Sequence, residues 1–132
     1  EGAFEEATAN LVTNHDFAVD ANWTKGTGWS ISGGKAIFSG SNFANLKPTN
    51  SIIVVGNTYE LTLTAEVTNG SFKVQNTGSS DLITESSSGT YSVIWTATST
   101  LLTIARATVG SQNDFTIDNV TVKEYAITPL DV

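Results

Sequence analysis

Cysteine and methionine are absent from these 132 residues, histidine occurs once and proline twice. Without cysteine there is no disulfide framework, no thiolate metal site and no cysteine nucleophile. Any Ser-His-Asp arrangement has to pass through His15. Cations are scarce as well: six Lys+Arg stand against thirteen Asp+Glu, a formal net charge of −7. Six scattered cations neutralise few phosphates, so no nucleic acid is expected as a partner. No apolar run approaches the ~18 residues of a membrane-spanning helix, so no membrane insertion is expected either. No basic stretch precedes an apolar one near the N-terminus. That fits a mature chain, an excised fragment, or a protein exported without such a signal.

Hydroxyl and amide side chains are abundant instead, with 20 Thr, 14 Ser and 11 Asn. Charged residues make up 14% of the chain, below the roughly 25% usual in soluble domains. The apolar content is 39% and rich in Val and Ile, which describes a folded domain with polar faces rather than a disordered chain. The length suits one domain.

The pattern along the chain has period two. From Thr58 to Thr68, Tyr59, Leu61, Leu63, Ala65 and Val67 alternate with Glu60, Thr62, Thr64, Glu66 and Thr68, as in an antiparallel strand with one buried and one wet face. Asn69-Gly70 follows, a pair that suits a tight hairpin, so Ser71–Gln75 is expected as the partner strand with Phe72 and Val74 inward. Tyr91, Val93, Trp95 and Ala97 repeat the alternation over Thr90–Thr98, and Leu101–Ala107 follows. Trp29–Ser32 and Lys35–Ser39 flank Gly33-Gly34, a second hairpin signal. Phe43–Lys47 and Ile52–Val55 are shorter candidates around Pro48. No window keeps helical spacing over three turns.

The last strand carries a parity slip. Phe115 and Ile117 share one parity, Val120 and Val122 the other, so a β-bulge is expected at Asp118-Asn119. About nine or ten short strands predict an all-β fold, a two-sheet antiparallel jelly-roll β-sandwich. Its core is expected over residues 10–125, with an acidic N-terminal arm at 1–9 and a C-terminal tail at 126–132.

The ordered set NLVTNHDF (Asn10–Phe17), GWSISGGKAIFSG (Gly28–Gly40), GNTYELTLTAEV, SGTYSVIWTA and FTIDNVTVKEY resembles carbohydrate-binding-module-like jelly-roll domains of bacteriophage virion proteins and secreted bacterial enzymes. The resemblance spans about residues 10–125. It implies a non-catalytic binding or structural module with sugar contacts on a sheet face or loop edge. It also implies, for many relatives, a structural calcium ion between the segment matching Asn14–Ala18 and the acidic residue matching Asp118. Here the position after Phe17, often Glu in such domains, is Ala18. Asp118, Asp16 or Asp20 with nearby carbonyls are the oxygen donors this implies. The other reading is that Asp118 accepts backbone hydrogen bonds and pins the N-terminal segment without metal.

Sugar recognition needs aromatic platforms beside hydrogen-bonding groups. Tyr59, Phe72, Tyr91 and Trp95 fall on inward parity, and Trp29 and Phe38 belong to the core pattern. The glycan-binding candidates are therefore Trp23, Phe43 and Tyr125, together with Arg106. The parity of Arg106 matches Leu102 and Ile104. Either the strand ends or bulges near Ala105, or Arg106 pairs with a carboxylate such as Glu60 or Glu66. A genuine carbohydrate-binding module is expected to show at least two coplanar exposed aromatics; joint burial of Trp23, Trp29, Phe43 and Trp95 counts against it. Glycosidase chemistry needs two carboxyl groups roughly 5–9.5 Å apart, whereas Glu60 and Glu66 lie about 20 Å apart along one strand. His15 reads as a loop or capping residue. No enzyme is expected.

The termini supply apolar points for docking by strand addition: Phe4 in the arm, Ile127 and Leu130 in the tail. The sequence thus favours a structural or adhesion module of a phage virion (capsid decoration, fibre or tail), at the virion surface or extracellular. Its partners are a virion protein or a second copy through the termini, and surface glycan. The alternative is a carbohydrate-binding module of a secreted bacterial polysaccharide-degrading enzyme.

Overall fold

The computed structural model describes residues 4–7, 9–76 and 81–128, with 4–7 and 126–128 described as backbone. The described residues form eleven strands and no helix: β1 (Phe4–Ala7), β2 (Trp23–Lys25), β3 (Trp29–Ser32), β4 (Lys35–Gly40), β5 (Leu46–Pro48), β6 (Thr58–Asn69), β7 (Phe72–Asn76), β8 (Asp81–Glu85), β9 (Gly89–Thr96), β10 (Leu102–Arg106) and β11 (Asn113–Thr128). They make two antiparallel sheets. The first runs β3-β4-β11-β6-β9 with β1 added to β11; the second runs β2-β5-β10-β7-β8. The expected all-β jelly-roll sandwich is the observed fold.

Alternation along β6 buries Tyr59, Leu61, Leu63 and Ala65 between the sheets and leaves the Thr/Glu parity on the outer face. Gly33 and Gly34, both at positive φ (61° and 76°), close the β3–β4 hairpin, with Ser32 opposite Lys35. Two consecutive left-handed residues are what a two-residue hairpin turn with the twist of its strands requires.

The bulge also lies where parity placed it. The β11–β6 register shifts between Asp118 and Thr121, and Asn119 sits at φ 50°. The inserted residue brings Phe115, Ile117, Val120 and Val122 into one core, each at most 2% exposed. One edge of β11 is shared: β4 pairs with residues 113–117 and β1 with residues 125–128. The N-terminal segment fills the gap between them. Leu11 N–H donates to Val122 O at 2.8 Å, Val122 N–H to Asn10 Oδ1 at 2.9 Å, and Val120 N–H to His15 O at 3.0 Å.

Several local expectations need correction. Asn69-Gly70 does not join a hairpin: β6 pairs with β11 and β9, while β7 lies in the other sheet beside β10 and β8. Phe72 and Val74 do point inward, both fully buried. Gly70 (φ +70°) instead turns a corner between sheets, and a Cβ there would lie 2.2 Å from Asn113 Oδ1. The Phe43–Lys47 candidate shortens to β5, and Ile52–Val55 is not a strand, although Ile53 is buried. Two strands had no clear signal, β2 and β8. Within the segments expected as arm and tail, Phe4–Ala7 pair with Tyr125–Thr128.

Candidate functional site

The outer face of the first sheet is the wet face expected from the Thr parity. Thr58 meets Thr96 and Thr64 meets Thr90 through their hydroxyls at 2.9 and 3.2 Å. Lys35 pairs with Glu66 at 2.6 Å. The hydrogen bond from Lys35, with its charge, draws the Glu66 carboxyl below its ordinary range, and the same contact raises the Lys35 ammonium. Asp114 is lowered by hydrogen bonds from Gln112, Ser39 and Asn69, at 2.9, 2.7 and 2.9 Å. A carboxyl whose folded pKa is depressed stabilises the fold above its unfolded pKa, and that contribution disappears as pH falls through the folded value. Thermal melts should therefore show stability declining with acidification below the ordinary carboxylate range. Asp114→Asn should flatten that acid limb; an unchanged limb in the variant would remove Asp114 from the account.

Tyr125 also stands on this side, its hydroxyl donating to Glu60 Oε1 at 3.3 Å. Trp23 points into the core: it is 6% exposed, lies 5.0 Å from the Phe17 ring, and donates its indole N–H to Asn14 O at 3.2 Å. Trp29 and Trp95 are buried too, at 7% and 9%. Phe43 differs, being 50% exposed. Of the four rings whose joint burial would count against sugar binding, three are buried and Phe43 is open, so the expected pair of coplanar exposed aromatics is not present among the described residues.

Phe43 lies in the connection from β4 to β5, where the chain crosses from the first sheet to the second. Two contacts fix this connection: Gly26 N–H donates to Asn45 O at 2.8 Å, and the Trp29 indole N–H to Ala44 O at 3.0 Å. Gly26 is required by the close approach, since a Cβ there would stand 2.9 Å from Ala44 Cβ. The ring is consequently held against the outer side of the second sheet. Lys73 Nζ lies 5.5 Å from its centroid and Arg106 Cζ 5.4 Å.

Register accounts for Lys73, whereas Arg106 is opposite the buried Phe72 on the inward parity and meets the ring from the end of β10. Ile104 faces Leu46 on one side and Val74 on the other, all three buried, so the neighbouring positions turn outward together. Ala105 is opposite Lys73 and Thr103 opposite Gln75. Thr103 and Ala105 are only 3% and 1% exposed although they face outward. They make a floor of small side chains, covered by the longer ones of the flanking strands. Arg106 is the last residue of β10, still in register opposite Phe72, and pairs with neither Glu60 nor Glu66 among the described residues. Its Nε is buried without a hydrogen-bond partner, and so is Asn45 Oδ1 beside it in sequence to Phe43.

Of the sequence candidates, then, Phe43 and Arg106 come together, while Trp23 and Tyr125 lie elsewhere. Lys73 and Asn45 complete the cluster. The outward parity of Lys73 was visible in the sequence, but its proximity to Phe43 depends on the β5-β10-β7 strand order. Each of the three calcium-donor candidates has a local partner. Asp20 is engaged by Lys25 at 2.6 Å, Asp16 accepts from Ala18 N–H, and Asp118 accepts from Asn119 N–H at 2.7 Å. Among the described residues no three carboxylate or imidazole side chains gather into a metal-binding group. Phe4 and Ile127 lie in the β1–β11 backbone pairing, and Leu130 lies outside the described residues.

No protein-family model matches the chain, and no curated protein sequence does. Solved structures do. A family 29 carbohydrate-binding module, studied as a mutant for its ligand recognition, has a TM-score of 0.55 at 15% identity, covering 92% of this chain and 91% of that one. The fold is carbohydrate-binding-module-like. The enzymatically active domain of tailspike protein 4 of bacteriophage CBA120 has a TM-score of 0.50 at 14% identity, covering 88% of this chain and 21% of that one. The chain thus corresponds to about a fifth of the tailspike domain. A CBM4 module has a TM-score of 0.48 at 13% identity over 92% of this chain. At these identities the likeness extends to the fold and no further.

Proposed function

We propose that this chain is a non-catalytic carbohydrate-binding module, with its binding face on the outer side of the second sheet around Phe43. One observation carries the reading: a half-exposed ring flanked by the cationic ends of Lys73 and Arg106. Sugar rings offer apolar C–H faces for such a ring and hydroxyls for such atoms. The carbohydrate-binding-module-like fold supports it and favours an accessory role beside a polysaccharide-degrading enzyme.

The test is affinity electrophoresis and calorimetry against a panel of soluble polysaccharides. Phe43→Ala should weaken binding by roughly tenfold or more, as expected for loss of one aromatic anchor, with the melting temperature unchanged because the ring is half exposed. Undiminished binding by Phe43→Ala would move the site off this face. A second reading, service within a phage virion, is favoured by the likeness to part of a tailspike domain. It requires self-association or particle binding through Phe4, Ile127 and Leu130, which light scattering of the full chain and a chain cut to residues 10–125 tests.

A further inference from the structure

The charge pattern deepens the carbohydrate-binding reading, and the inference rests on it: we infer that the Phe43 face takes acidic glycans, chains bearing uronate or comparable carboxylates. The chain has six cations and a net charge of −7. Two cations are neutralised locally, Lys25 by Asp20 and Lys35 by Glu66. Lys123 is on the first sheet, opposite Glu60. The remaining three, Lys47, Lys73 and Arg106, have no ion-pair partner among the described residues, and all belong to the adjacent strands β5, β7 and β10 of the second sheet. In an acidic protein with so few positive charges, this concentration on the strands beside the one open aromatic ring creates a local field opposite in sign to that of the whole molecule.

The acids on the strands of this sheet lie on its far edge strand, β8, which borders β7 alone. Asp81, on the far strand β8, is engaged by Gln75 Nε2 at 2.7 Å and Thr84 Oγ1 at 2.9 Å. Glu85 is opposite Phe72 at the end of β8, with the whole of β7 between it and Arg106. Asp20 is tied to Lys25.

The aromatic supply points the same way. Among the described residues Phe43 is the one exposed aromatic ring. A neutral chain held by stacking uses several platforms, and a single ring leaves most of the binding to polar groups. A uronate matches what is present. Its C–H face packs on Phe43, and its carboxylate meets the guanidinium and ammonium already beside that ring. The planar guanidinium is suited to carboxylate recognition in a way a neutral amide is not.

Polygalacturonate, alginate and hyaluronan, each beside its carboxyl-reduced form, provide the test by calorimetry. Preference for at least one acidic polymer over its reduced form is expected to be about tenfold, the scale of one charge-assisted hydrogen bond, and to shrink as salt rises. Lys73→Gln and Lys47→Gln should erase much of the preference while leaving the melting temperature in place. Arg106→Gln should do the same, with circular dichroism checking its fold. Equal affinity for acidic and reduced polymers, or a preference that survives these variants, overturns the acidic-glycan inference and leaves the module reading standing. No binding to any polysaccharide, acidic or neutral, overturns both.

Discussion

Replacing Phe115 with alanine is expected to cost about 3–5 kcal/mol of folding stability, the range for removing a buried aromatic ring. Phe115 is 2% exposed on β11, at the centre of an aromatic group. Its ring lies 5.3 Å from Phe38, 5.5 Å from Trp29 and 5.8 Å from Phe72. Phe38 and Trp29 belong to its own sheet, whereas Phe72 comes from β7 in the opposite sheet. Truncation therefore opens a cavity in the layer joining the two sheets, and the surrounding rings have few ways to collapse into it. Against a total stability of roughly 5–15 kcal/mol for a domain, that loss should lower the melting temperature by about 10 °C or more. Urea unfolding checks it, with the denaturant slope unchanged. Phe115→Leu should recover more than half of the loss. A cost below about 1.5 kcal/mol for Phe115→Ala would mean the sheets do not depend on this contact.

Elements governed by local alternation were legible in the sequence. β6 reads correctly because eleven residues keep parity, and the bulge reads correctly because Phe115, Ile117, Val120 and Val122 fit one core only with an inserted residue. Asn69-Gly70 misleads for a physical reason. A glycine at positive φ serves a hairpin and a corner between sheets equally well, and the deciding partner, Asn113, lies 42 residues from Ser71. Trp23 sits among turn residues and yet is buried, because the loop carrying Asn14 and Phe17 folds over it. The candidate site divides in the same way. Phe43 and Arg106 stand out singly as an aromatic near turn residues and a cation on core parity. Their meeting with Lys73 follows from strand order across the second sheet, which no local pattern encodes.

Three of the connections that cross between sheets share one device, a side-chain or backbone clamp on otherwise unpaired main-chain groups. Phe43 occupies the connection clamped by Gly26 and Trp29. Asn113 clamps the β6–β7 corner, accepting from Ser71 N–H at 3.1 Å and donating to Thr108 O and Ser111 O at 3.0 and 2.9 Å. Loops between sheets cannot pair in either ladder, so their amides and carbonyls need such partners wherever water is excluded.

Asn76 clamps the third connection, β9 to β10, and Asn76→Leu is expected to destabilise the fold by about 3–5 kcal/mol, several buried hydrogen bonds being lost together. The residue is fully buried at the end of β7. Its Nδ2 donates to Ser99 O at 2.8 Å and Leu101 O at 3.0 Å, while Oδ1 accepts from Thr98 N–H at 2.9 Å and Ser99 N–H at 3.3 Å. Leucine fills a similar volume, so a loss of this size reports the stranded backbone groups rather than a cavity. Asn76→Asp separates donor from acceptor. The carboxylate still accepts from Thr98 and Ser99 but turns a second oxygen toward two carbonyls, so the folded state favours its protonated form. A carboxyl whose folded pKa is raised stabilises below its unfolded pKa and loses that contribution as pH rises through the folded value. Asn76→Asp should accordingly melt well below the parent chain at neutral pH and recover part of the difference on acidification, opposite in slope to the Asp114 effect on the outer face. If Asn76→Leu folds with parental stability, or Asn76→Asp shows no recovery in acid, the β9–β10 crossing is held by something other than this amide.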